Sequence, residues 1–115
     1  MSSDSRRTHR RNVHEPVMVV DTMTEEIIGR LGNLSESGML LVANAALVED
    51  ALYQLGLGIT DNTGRSVSIV VGAHLLWVGS ANTPGQSWAG ARCLTIEESQ
   101  LAVLRQWIAR PAARG

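Results

Sequence analysis

A chain of 115 residues, 44% hydrophobic and 18% charged, is long enough for one real core and too apolar for disorder, so a single globular domain is expected. No apolar run is long enough to span a bilayer and the start has no leader-like apolar stretch, while the lone Cys93 excludes an internal disulfide and a Cys-based zinc site; a cytoplasmic address follows. The net charge of −1 divides into +3 over residues 1–11 and −4 over the rest, and every fixed cation is an arginine, so a basic arm on a mildly acidic body argues against a general nucleic-acid binder.

The arm, residues 1–12, carries Arg6, Arg7, Arg10 and Arg11 and is expected to be flexible. The body spans 13–110, and 111–115 form a short tail. Pro16 biases Glu15 to an extended conformation and introduces a strand over 17–20. Strands over 26–34 and 39–43 follow, separated by the polar turn Asn33-Leu34-Ser35-Glu36-Ser37-Gly38. From 51 to 60 the alternation is strict: Tyr53, Leu55, Leu57 and Ile59 share one face, with Gln54, Gly56 and Gly58 on the other. Those two glycines are expected to let the sheet bend or another element approach closely. The turn Asp61-Asn62-Thr63-Gly64 leads into one long strand, 66–78, bent at Gly72. After a loop over 80–86, 88–94 is the last strand. Thr95 and Glu98 have the spacing of a capping box, Leu101, Leu104 and Ile108 form a helical stripe, and Pro111 ends the helix. The expected fold is mainly β: a six-stranded antiparallel barrel with a C-terminal helix closing one end.

Catalytic signals are weak throughout. His9, His14 and His74 match no metal-ligand spacing, and Ser35 lacks the strand–turn–helix setting of a hydrolase nucleophile. The acidic pairs Glu25/Glu26, Glu49/Asp50 and Glu97/Glu98 sit at segment ends, where they solvate turns. Neither Gly29-x-x-Gly32 nor Gly56-x-Gly58 joins a strand to a helix, as a phosphate loop requires. Cys93 reads as a small core residue, and Trp77, Trp88 and Trp107 as core or barrel-end packing in a chain without phenylalanine. The expected protein is not an enzyme and holds neither metal nor cofactor.

Two features gain meaning together: Arg6-x-x-x-Arg10, overlapped by Arg7 and Arg11, and Asn33-x-Ser35-x-x-Gly38 between the second and third strands. In this order around a barrel they resemble the PilZ domain family, whose members bind the bacterial second messenger cyclic di-GMP through an Arg-x-x-x-Arg segment and an Asp/Asn-x-Ser-x-x-Gly motif. The resemblance covers nearly the whole chain. Val13 and Pro16-Val17 follow the arm at the family's spacing when counted from Arg10, which favours the Arg6/Arg10 frame; Trp88–Cys93 is similar to the closing strand, and 97–110 to the terminal helix.

The resemblance implies that Arg6, Arg10, Asn33, Ser35 and Gly38 bind the ligand, with Arg7 next. It also implies a stacking role on guanine for Trp77, beside the core role first read for it. Arg forks suit both phosphate oxygens and the guanine O6/N7 edge. The Asn33 carbonyl suits the N1–H/N2–H edge, Ser35 either meets the ligand or pins the turn, and Gly38 permits close approach. Asn33 stands where many members have Asp, with one carbonyl in place of two charged oxygens. The implied function is a cyclic di-GMP receptor that changes conformation and signals to a separate effector protein in the control of motility, biofilm, surface polysaccharide or virulence, with no nucleic acid and no membrane insertion. The alternative is a PilZ-fold interaction module that binds no nucleotide, such as a type IV pilus assembly adaptor.

Overall fold

The structure is a computed structural model and describes residues 10–110. Its elements are β1 (Arg11–Asn12), β2 (Met18–Asp21), β3 (Glu26–Leu34), β4 (Gly38–Ala43), β5 (Leu52–Thr60), β6 (Ser66–Ser80), β7 (Ser87–Ile96) and α1 (Glu98–Ala109). All pairings are antiparallel. The order β2-β5-β6-β7-β4-β3 returns from β3 to β2, and so closes a six-stranded barrel. Closure leaves no long edge exposed for unwanted pairing.

β1 is an addition to that barrel. It pairs with the end of β3, Arg11 opposite Leu34 and Asn12 opposite Asn33, along the same edge that β2 takes earlier in β3. Between them the Val13 N–H donates to Gly32 O (2.9 Å) and the Leu31 N–H to Val17 O (2.8 Å), so the edge stays satisfied. Among the described residues strand pairing begins at Arg11, inside the stretch assigned from sequence to the arm.

The period-2 pattern fills the interior. Leu55, Leu57 and Ile59 of β5 are buried, as are Ile69, Val71, Ala73 and Leu75 of β6 and Ala89 and Ala91 of β7. Leu104, Trp107 and Ile108 of α1 add to this core. Cys93 packs against it, half-buried. The bend foreseen at Gly72 is a register shift between Gly72 and Ala73, and a second shift follows between Leu75 and Trp77. The second shift governs Trp77. Leu75 is the last residue of its run on the inner face, and Trp77 falls outside, 44% exposed. Trp88, between inward Ala89 and the strand start, is 38% exposed. Of the three tryptophans expected to pack in the core or at a barrel end, only Trp107, at 1%, is in the core.

The expected capping box is also absent. Thr95 belongs to β7, opposite Gly72, and Glu97 occupies the N-cap without a side-chain hydrogen bond. α1 is instead held at its far end, where the Arg110 guanidinium donates to Thr60 O (2.5 Å) and Asp61 O (3.2 Å) of the β5–β6 turn. On the outer face Gly56 is approached by the Thr22 methyl, as expected of a close contact. Gly58 has nothing above it, and together they floor a groove beside Met18, Val20 and Val70. No helix among the described residues is long and apolar enough to cross a membrane.

Candidate functional site

The turn between β3 and β4 is built around Ser35, which is fully buried. Its Oγ accepts the N–H groups of Ser37 (3.3 Å) and Gly38 (3.1 Å) and donates to Gly38 O (3.2 Å), while its own N–H also donates to Gly38 O (2.9 Å). Of the two roles open to Ser35 in the sequence, the geometry displays turn-pinning. That turn fixes Asn33 on one side and Gly38 on the other.

Arg10 lies against both. Its guanidinium donates to Asn33 Oδ1 (2.6 Å), and a Cβ added to Gly38 would stand 3.7 Å from Arg10 Nη2. The tighter limit on a side chain at Gly38 is Ala91 O of β7, 3.0 Å from where the Cβ would stand, while the guanidinium lies at ordinary contact distance over the buried glycine. Arg11 goes elsewhere. It is 7% exposed, stacks 3.9 Å from the centroid of the Trp107 ring, and donates to Trp107 O (2.9 Å) and Glu15 Oε2 (2.9 Å). Burial pulls its pKa below the ordinary value, the Glu15 carboxylate pushes back, and Arg110 adds to the lowering; a guanidinium stays charged regardless. The two overlapping frames thus separate: Arg10 sits at the motif, Arg11 holds the helix. Arg6 and Arg7 lie outside the described residues.

Cross-strand register extends the site around the barrel. Asn12, Asn33, Leu40, Gly90 and Trp77 form one row of partners across β1, β3, β4, β7 and β6. From Asn33 to Trp77 the row crosses three inter-strand steps, about 14 Å. Trp77 lies over Gly90 so closely that a Cβ there would collide with the indole. The result is a flat, half-exposed aromatic face laid across β7, the strand that pairs with Gly38 of β4. The neighbouring row runs Gly38, Arg92, His74, with Arg92 exposed and His74 Nε2 2.6 Å from Asp50 Oδ1. Cys93, next to Arg92, has its thiol pushed up to about 11 by burial, against the opposing charge of Arg10. No group of three metal-ligating side chains occurs among the described residues.

Sequence reasoning missed two ties and one cation. Arg11 and Trp107 are 96 positions apart, and Glu36 in the motif turn pairs with Arg105 of α1 at 3.1 Å; neither contact leaves a local signal. Arg92 becomes notable only once the β4–β7 register sets it opposite Gly38.

Among curated proteins no relative matches the sequence. Among solved structures, the Bacillus subtilis inhibitor of motility MotI/DgrA superposes with a TM-score of 0.69 over 88% of this chain, at 16% identity. The chain spans about half of that protein, 48% of its length, so the likeness is one of fold. A family model described as PilZ domain matches residues 4–110, which takes in the arm, the barrel and the helix. The chain belongs to the PilZ domain family.

Proposed function

We propose that this protein is a non-enzymatic cyclic di-GMP receptor that passes the signal to a separate effector protein. The observation that carries the reading is the meeting of Arg10 with Asn33 beside Gly38, which puts one half of the arm motif on the turn motif. A cyclic dinucleotide presents two phosphates and two guanines. Arg10 supplies a fork for a phosphate or a guanine O6/N7 edge, and the Asn33 amide offers acceptor and donor to the opposite edge. Trp77 supplies an exposed stacking face over β7. Arg6 and Arg7 complete the clamp in this reading.

A route for the signal is supported by α1. Arg11, next to Arg10, holds Trp107, and Glu36, inside the motif turn, holds Arg105. Ligand engagement at either half therefore pulls on the same helix, and its response changes the surface offered to a partner. The fold neighbour's name as a motility inhibitor makes control of motility a reasonable output, with a cytoplasmic site of action where the nucleotide is found.

Calorimetric titration of the full chain with cyclic di-GMP tests the reading. Binding is expected, and Arg10→Ala is expected to abolish it with the thermal midpoint little changed, because Arg10 is exposed and its hydrogen bond to Asn33 is a surface one. An absence of heat well into the micromolar range would favour the nucleotide-free interaction module instead.

A further inference from the structure

Arg92 is an exposed cation on the outer surface of β7 to which the receptor reading gives no task. Arg92 is the cross-strand partner of Gly38. The Cys93 N–H donates to Ser37 O at 2.9 Å, which marks 37/93 as the hydrogen-bonded pair. The next pair, Gly38/Arg92, is then of the close, non-hydrogen-bonded kind, with Cα atoms about 4.5 Å apart and side chains on one face. Arg10 approaches the same glycine from the other side, within 3.7 Å of where its Cβ would be. Its charge is felt by Cys93, the residue after Arg92. Two guanidiniums thus flank a bare glycine. Among the described residues no carboxylate comes within 4 Å of Arg92, and Asp50, which meets the row at His74, is engaged there. An exposed pair of cations around a surface with no side chain, bordered by an indole, is suited to a bridging anion.

We infer that Arg92 is a second phosphate-binding guanidinium, mounted on β7, that takes a phosphodiester oxygen of the cyclic dinucleotide while Arg10 closes from the opposite side of Gly38. The inference rests on the receptor reading. It differs from the motif residues in kind: Arg10 precedes the barrel, whereas Arg92 is part of a central strand and is in place beforehand.

The test is calorimetric titration of cyclic di-GMP into the full chain, Arg92→Gln and Arg92→Lys, at about 50 mM and about 500 mM salt, between which the screening length falls from about 14 Å to about 4 Å. Arg92→Gln should weaken binding about tenfold at low salt, with the gap narrowing at high salt, as expected for a lost ionic contact. Arg92→Lys should stay within about threefold of the original, since a phosphate accepts a point charge. Equal thermal midpoints are expected, because Arg92 holds nothing in place. If the original binds and Arg92→Gln stays within about twofold of it at low salt, or Arg92→Lys is as weak as Arg92→Gln, the phosphate role is wrong and the receptor reading survives. If the original itself fails to bind, both fall.

Discussion

Arg10 and Arg11 are chain neighbours whose side chains meet opposite surroundings. Arg10 is exposed and donates to a surface amide, so its replacement should cost the fold little. Arg11 is sandwiched between Trp107, its carbonyl and Glu15, and its Nε is buried without a partner. Arg11→Ala should destabilise the fold by about 2–4 kcal/mol, from the lost cation–π stack and charged hydrogen bond, measured by urea unfolding. Lysine at the same place should not restore it, since only the planar guanidinium stacks and forks. The spacing to Val13 and Pro16 singled out Arg10 over Arg11, but that Arg11 serves the helix was not legible, because Trp107 is 96 residues away. Cys93 offers a second residue-scale check. Its pKa, raised by burial from 9.0 to about 11, keeps the native thiol protonated, so alkylation at pH 8 should be about a hundredfold slower than in the urea-unfolded chain. The sign carries over to stability: between pH 9 and 11 the unfolded thiol ionises and the native one does not, so this group's contribution declines as pH rises.

Among the elements, strands were legible where one face is buried and least legible where a bulge shifts the face. β5 alternates without interruption, and its inner residues lie where the pattern put them. β6 does not: the shift between Leu75 and Trp77 turns a tryptophan from the expected core to the outer surface. A single sequence marks apolar character but not register, and register is decided by partners several strands away. The helix was legible from its stripe, while its start was not, because Thr95 is taken by the β7 ladder. α1 gathers both halves of the candidate site through contacts of unequal weight. Trp107→Ala should cost about 3–5 kcal/mol, since it removes a fully buried indole and the platform for Arg11. Arg105→Ala should cost less than about 1 kcal/mol, because its pair with Glu36 is half-exposed. Chemical denaturation of the two variants should separate them cleanly; equal losses would mean that the Glu36–Arg105 pair anchors the helix.

At the scale of the molecule, closure of the barrel gives spacing in sequence its meaning. β3 and β4 follow one another in the chain, as do β6 and β7, but β4 and β7 meet only in the sheet, and that register brings Asn33, Gly38, Arg92 and Trp77 onto the outer surface of adjoining strands. The two motifs were legible as a family resemblance; the surface that joins them to Gly90 and Trp77 required the closed sheet. On the other side of the barrel, the groove floored by Gly56 and Gly58 has an apolar rim and no arginine in its lining, so it offers an anionic dinucleotide no charged partner. Amide shift mapping of the labelled chain during titration with cyclic di-GMP distinguishes these surfaces residue by residue. The account predicts the largest changes at Asn33 to Gly38, at Gly90 and Arg92, and at the Trp77 indole N–H, with smaller changes along α1. Silence throughout, or changes confined to Met18, Val20, Gly56 and Val70, would contradict it.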